Sequence, residues 1–415
     1  MRACGRLLTY LKKLCKLYKN TLFKGYAQKE FMRKFDLKKV LALAMVICLV
    51  TMAFCLVACN PDAPDDDGNN DDTPARHHFS GSAKNVIILI GDGMGQEHIE
   101  TTKAYFQLDS LYMETLTTFR GEVTTHSRDN DVTDSAAAAT ALSCGVKTDN
   151  NYVARVGNTN VENMAEYASS FGMDVGIIAT ESIVGATPSG FASHAYHRSN
   201  TTNLFNGHME SDVDIYISQY DEDLYNEKRV LAIADNGFTH VTSLDELTEN
   251  KYSANKIYAT FPKFDQYGED NANCPTLAEA STYAINYLDQ KSDNGFFMMI
   301  EASHIDKYSH NNDFYGMVNE LRAFDEAVKV VLDWARQDGE TLVIVTADHE
   351  TGDLIYNPGD TFDDDLFHHD DHTGKQVYFF AYGFSEEGYE TGVVVDNVVL
   401  NHIMRDYIAN LRKAR

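Results

Sequence analysis

Four short apolar runs constrain the architecture more than any other feature. Val86-Ile87-Ile88-Leu89-Ile90, Val175-Gly176-Ile177-Ile178-Ala179, Phe296-Phe297-Met298-Met299-Ile300 and Thr341-Leu342-Val343-Ile344-Val345-Thr346 are almost continuously apolar. A half-exposed strand alternates between apolar and polar side chains. Runs without alternation suit strands buried on both faces, as in a parallel sheet. Helical patterns lie between them. Met317, Leu321, Phe324, Val328, Val331 and Ala335 trace one helix face. Leu277, Ala280, Ala284, Tyr287 and Leu288 trace another, with Pro275 near its start. Strands alternating with helices predict an α/β fold, a three-layer αβα sandwich with a mostly parallel central sheet.

In such folds ligands bind beyond the carboxyl ends of the strands. Three of the four runs place a metal-capable carboxylate there: Asp92, Glu301 and Asp348. Each alone reads as a turn or cap residue. Three with the same placement predict convergence on one sheet edge. Residues 199–270 differ, being rich in Asn, Asp and Tyr with only short apolar stretches, and are expected to form a peripheral insertion.

Charge divides the chain unevenly. Residues 1–59 carry 12 Lys/Arg and 2 Asp/Glu, and the remainder carries 23 and 60. So acidic a body repels nucleic acid and anionic membrane. The amino end reads as a targeting segment, with Lys38-Lys39 ahead of an uncharged apolar run from Val40 to Ala58. Leu56-Val57-Ala58-Cys59 resembles the bacterial lipobox, in which the cysteine is lipidated. The rival reading is an uncleaved membrane helix, since 19 apolar residues can span a bilayer. The small residue and cysteine at the end of the run favour an exported, membrane-anchored lipoprotein facing the extracytoplasmic space. Met32-Arg33-Lys34 looks more like a signal start than Met1 does. Residues 60–82 hold a block of Asp, Asn and Pro and read as an acidic, disordered tether. Residues 83–415 are then the functional domain. Five of the seven cysteines fall within residues 1–59, leaving Cys144 and Cys274, and Cys144 reads as a buried free thiol.

Val132-Thr133-Asp134-Ser135 runs directly into Ala136-Ala137-Ala138-Ala139-Thr140-Ala141-Leu142. A helix start presents unpaired N–H groups and partial positive charge, a ready site for an anion such as phosphate. By itself, Asp134-Ser135 reads most simply as a plain helix cap. Metal-ligand chemistry elsewhere changes that balance. Asp306 and His310 stand four residues apart, so on a helix they share one face. Asp348-His349 follows a buried run. His372 precedes Thr373-Gly374, with His368 and His369 close enough to be confused with it. Mixed His/Asp ligation suits zinc. Asp92, Thr187 and Glu301 offer only oxygen, which suits a harder ion such as magnesium. The acidic run Asp360–Asp365 reads as a solvated loop.

Together these residues resemble the alkaline phosphatase family. The resemblance runs from about Asn85 to Gly383. It rests on Gly91-Asp92-Gly93-Met94-Gly95, Thr133-Asp134-Ser135-Ala136-Ala137, Ala186-Thr187-Pro188, Glu301-Ala302-Ser303-His304-Ile305-Asp306-Lys307, Thr346-Ala347-Asp348-His349 and His372-Thr373-Gly374, in family order. It implies hydrolysis of phosphate monoesters through a phosphoserine on Ser135, with two Zn²⁺ and one Mg²⁺. Asp306, His310 and His372 would hold one zinc, and Asp348 and His349 the other. Asp92 would bridge towards magnesium, completed by Thr187 and Glu301. Arg198 would clamp phosphate and Lys307 would help hold a water near it. A homodimer is implied by the resemblance alone. Gly185 departs from the pattern, since well-known bacterial members carry aspartate there and animal members histidine. Two other classes compete: a phosphodiesterase or sulfatase of the same two-metal superfamily, and a non-catalytic surface lipoprotein that binds phosphate or cations. Thr187, Glu301 and Arg198 favour monoesters over the first. The intact nucleophile and ligand set argue against the second.

Overall fold

The computed structural model describes residues 81–249, 254–264, 274–384 and 392–414. The targeting segment, Cys59 and all of the acidic tether but Gly81 and Ser82 lie outside the described residues, so their reading rests on sequence. No helix among the described residues is long and apolar enough to cross a membrane.

Fourteen strands are described: β1 Asn85–Gly91, β2 Phe119–Thr124, β3 Arg155–Val156, β4 Thr159–Asn160, β5 Asp174–Ser182, β6 Ile215–Gln219, β7 Thr239–Val241, β8 Ile257–Phe261, β9 Phe296–Ala302, β10 Thr341–Thr346, β11 Glu350–Thr351, β12 His372–Thr373, β13 Val377–Tyr382 and β14 Val394–Asp396. Ten of them form one sheet in the order β14-β2-β13-β10-β1-β9-β5-β6-β8-β7. The four apolar runs of the sequence are its centre, β10, β1, β9 and β5, paired in parallel. Every residue of β1, β9 and β10 is buried, as runs without alternation demand. Only β13 opposes the common direction, pairing antiparallel with both β10 and β2. The sheet is therefore mostly parallel, as expected.

The helices are α1 Gln96–Phe106, α2 Tyr112–Leu116, α3 Ser135–Cys144, α4 Met164–Ser170, α5 Ala186–Ala192, α6 Thr201–Glu210, α7 Glu227–Asp235, α8 Leu244–Glu249, α9 Leu277–Lys291, α10 His304–His310, α11 Phe314–Asp338 and α12 Asn397–Ala414. One layer packs α1, α2 and α9 around the long α11, and the other packs α3 between α5 and α12. The six apolar residues expected on one face of α11 are all buried. Pro275 does precede a helix. Thr276 caps α9 through the Glu279 amide, and the Glu279 side chain returns a bond to the Thr276 amide.

The stretch near 199–270, expected as a peripheral insertion, carries β6, β7 and β8, which extend the same sheet at one edge. Its strands are only three to five residues long. So short a run leaves little periodicity to read. Cys144 is a buried free thiol and Cys274 is also unpaired, as expected for Cys144. Burial pushes the Cys144 thiol up to about 12, so it stays protonated.

Candidate active site

Sheet register aligns the three carboxylates. Ile90 of β1 stands level with Glu301 of β9 on one side and with Thr346 of β10 on the other. Asp92 and Asp348, each two residues further on, leave the sheet at the same height. The amide of Gly93 donates to Asp348 Oδ1 at 3.1 Å, tying the two strand ends together. Gly93 has φ of +74°, and a Cβ there would press on the Asp306 backbone at 2.8 Å, so this crossing requires glycine.

Asp92, Asp348 and His349 form one buried group with ligand atoms close enough to share an ion. His349 Nε2 lies 3.1 Å from Asp348 Oδ2 and 3.5 Å from Asp92 Oδ1. Asp306, His310 and His372 form a second group. The helix α10 sets Asp306 and His310 on one face, with Oδ2 and Nε2 3.4 Å apart. His372 comes from 62 residues further on, returned by the ribbon in which β12 pairs with β11 directly after His349. Its ring stacks on His349 at 3.5 Å between centroids. His368 and His369 do not join. His368 Nδ1 meets the Leu366 carbonyl, and His369 Nδ1 accepts from the Asp371 amide.

All three imidazoles aim Nε2 inward, and hydrogen bonding at the other nitrogen explains why. His310 Nδ1 bonds the Asp370 carbonyl at 2.7 Å and His372 Nδ1 bonds the Thr133 carbonyl at 3.0 Å. A carbonyl only accepts, so the proton of each ring sits on Nδ1 and a neutral ring offers Nε2 as a lone pair. Thr351 Oγ1 donates to Asp306 and thereby accepts from His349 Nδ1 at 3.2 Å, with the same result. The His310 and His372 Nε2 atoms approach to 3.1 Å, so a cation or shared proton must lie between them.

Burial and neighbouring charge shift the titratable groups of the site in both directions. Burial works against charge at Asp306, but the His310 hydrogen bond and the neighbouring His349 and His372 hold it well below the usual range. The bond to Asp306 pushes His310 up to about 9, while burial and His349 push His372 down to about 4. Burial and the Asp348 charge drive Asp92 well above the ordinary carboxylate value. Glu301 is driven the same way by burial and the Glu181 charge. Thr187 Oγ1, both Glu301 oxygens and Asp92 Oδ1 are buried without a hydrogen-bond partner. Oxygens left in that condition are costly unless a cation completes them.

Ser135 opens α3. Asp134 is its cap, accepting from the Ala137 amide at 2.9 Å, so the capping reading is right for Asp134 and leaves the Ser135 hydroxyl free for other contacts. Ser135 Oγ lies 3.3 Å from His349 Nε2 and 3.4 Å from Arg198 Nη1. Arg198, placed by the loop after α5, also pairs with Asp134 at 3.3 Å.

These distances put a serine hydroxyl, an arginine and two metal-ligand groups on one sheet edge, and comparison with known proteins agrees. The alkaline phosphatase family model matches residues 83–233 and 235–362. This chain belongs to the alkaline phosphatase family. Alkaline phosphatase 3 of Bacillus subtilis is 35% identical over 361 residues, covering 79% of this chain and 73% of that protein. The Escherichia coli K12 alkaline phosphatase is 28% identical, covering 74% and 78%. The structure of alkaline phosphatase from the Antarctic bacterium TAB5 superposes with a TM-score of 0.69 at 30% identity, covering 79% of this chain and 98% of that one. As a family member the chain is a metal-dependent phosphate monoester hydrolase.

Lys307 sits one residue past Asp306 but turns to Glu181, with Nζ and Oε2 3.0 Å apart. Glu181 and Thr351 are contributors that the sequence reading passed over. Glu181 carries the same signal as Asp92 and Asp348, a carboxylate two residues past an apolar run, whereas the role of Thr351 shows only when Asp306, 45 residues away, is folded against it.

Proposed function

We propose that Ser135 is the nucleophile of a two-zinc, one-magnesium alkaline phosphatase that works through a phosphoserine. The observation that carries this reading is the Ser135 hydroxyl at the start of α3, within 3.5 Å of both His349 and Arg198. The donor sets fit the ions. Asp306, His310 and His372 would hold one Zn²⁺, and Asp348 and His349 the other, since mixed imidazole and carboxylate ligation suits zinc. Asp92, Thr187 and Glu301 would serve Mg²⁺, because oxygen donors suit a hard ion. Bound there, the ions would neutralise the phosphate dianion and ease ionisation of the serine and the leaving oxygen.

The chain's own groups do the rest. The start of α3 offers N–H groups and positive potential to the phosphate. Arg198 holds it by charge-assisted hydrogen bonds. Ser135 Oγ gives up its proton as it bonds to phosphorus, the ester P–O bond breaks, and the leaving oxygen gains a proton. Water then adds to the phosphoserine, freeing inorganic phosphate and restoring the hydroxyl. Lys307 would help hold a water beside the phosphate. Export and lipid anchoring at Cys59 would place this chemistry at an extracytoplasmic membrane face, and family resemblance alone suggests a homodimer.

The test is p-nitrophenyl phosphate hydrolysis from pH 6 to 10 by residues 83–415, wild type and Ser135→Ala, after chelation and after Zn²⁺ and Mg²⁺ are restored. Activity should depend on metal and vanish in Ser135→Ala, and brief incubation with labelled substrate should label only the wild type. A folded, metal-loaded Ser135→Ala protein that retains turnover would overturn the assignment. Loss of radiolabelled palmitate from Cys59→Ser, in the full chain expressed in a bacterium, tests the anchor.

A further inference from the structure

Glu181 lies at the end of β5, four residues before Gly185, which caps the start of α5. A Cβ built on Gly185 would overlap the Glu181 carboxylate. The glutamate therefore fills the space that a side chain at 185 would otherwise take. Gly185 has φ of −53°, a conformation open to any L-residue, so backbone strain does not call for glycine here. What the absent side chain provides is room for the carboxylate.

From that position Glu181 faces two groups. Its Oε2 bonds Lys307 Nζ at 3.0 Å, and its side chain is only 18% exposed. It is also close enough to act on Glu301 and Asp92 through space, and it is the leading charged neighbour of Glu301. Without Glu181, the Lys307 ammonium would be left to the charges of Asp92 and Glu301 alone and would compete with a cation for them. We propose that Glu181, admitted by Gly185, is a positioning carboxylate of the third cation pocket: it pins Lys307 and keeps the pocket negative enough to hold Mg²⁺. The proposal rests on the magnesium reading of that pocket. Glu181 stands outside both ligand groups described above, so it acts by charge and by holding Lys307 rather than by joining the two histidine-containing sites.

The structure couples Glu181 to Gly185 sterically, and that coupling makes the proposal testable without removing any charge. Gly185→Ala must push the carboxylate aside and should behave like loss of Glu181. Zinc-loaded protein is titrated with Mg²⁺ by calorimetry for wild type, Glu181→Gln, Gly185→Ala and the double variant. Outer groups around metal sites are worth about 10–100-fold in affinity, so each single variant should weaken Mg²⁺ about tenfold. The double variant should be no weaker than Glu181→Gln, because both changes remove the same interaction. Zinc content should be unchanged in all four proteins. Wild-type Mg²⁺ affinity in Glu181→Gln or in Gly185→Ala would overturn the proposal, as would losses that multiply in the double variant. Failure of wild type itself to bind Mg²⁺, or binding unaffected by Glu301→Gln, would instead sink the underlying reading of the pocket and the proposal with it.

Discussion

Replacing Arg198 by alanine isolates the group that should separate monoesters from diesters. Arg198 Nη1 lies 3.4 Å from Ser135 Oγ and 3.3 Å from Asp134 Oδ2, and the side chain is 35% exposed. A hydrogen bond to a charged group contributes about 1.5–3 kcal/mol, and partial exposure puts Arg198 in the lower part of that range. At about 1.5–2 kcal/mol, Arg198→Ala should lose about 10–30-fold in kcat/KM for p-nitrophenyl phosphate. Stability should hardly change. The pair with Asp134 is partly solvated and worth below about 1 kcal/mol, and Asp134 keeps its bond from the Ala137 amide. A phosphate monoester carries one more negative charge than a diester, so the loss on bis(p-nitrophenyl) phosphate should be smaller. The assay compares kcat/KM for both substrates in wild type and Arg198→Ala, with thermal melts alongside. Equal losses on both substrates, or a monoester loss under about threefold, would refute the assignment of Arg198 to the phosphate.

Two further predictions concern the scaffold. A Cβ at Gly190 of α5 would lie 2.7 Å from the Ala139 Cβ of α3, so Gly190→Ala must part the helix bearing Ser135 from the helix bearing Thr187. Overpacking of this kind costs about 1–3 kcal/mol, and an unchanged urea midpoint would contradict the contact. Asp325 is buried beneath α2 and accepts from the Tyr112 and Met113 amides. Burial, opposed by those two bonds, pushes its carboxyl up from 3.8 to about 6. A raised acid pKa means the folded chain binds more protons than the unfolded one, so this contribution is fully present below about pH 4 and lost as pH rises through about 6. Measured by urea in chelated protein, wild type should lose about 2.4 kcal/mol relative to Asp325→Asn between pH 4 and pH 7, and a constant difference would refute the shift.

The legible parts of the site were those whose chemistry is local. Asp306 and His310 needed only a helix to share a face, and Asp92, Glu301 and Asp348 needed only their place at the ends of apolar runs. Arg198 was reachable only through the family resemblance, because the loop that carries it has no regular period. His372 was hard to separate from His368 and His369 by sequence. The β11–β12 ribbon separates them, since Thr351 pairs with His372 and leaves the other two bonded to their own loop. Thr351 was passed over because its acceptor Asp306 is 45 residues away, and Glu181 because its partner Lys307 comes from a distant helix, although its place after an apolar run matches that of Asp92.

The sequence by itself determined the layered α/β plan, because burial on both faces imprints a continuous apolar run on each central strand. It also determined that serine, carboxylates and imidazoles would gather at strand and helix ends, because those ends are where the chain turns out of the core. Tertiary structure decided the rest. Strand order, the union of β6, β7 and β8 with the same sheet, and the filling of the Gly185 gap by Glu181 depend on pairings between segments far apart in sequence. Their free energy belongs to the assembled sheet and its packed helices, and no single segment carries a record of it.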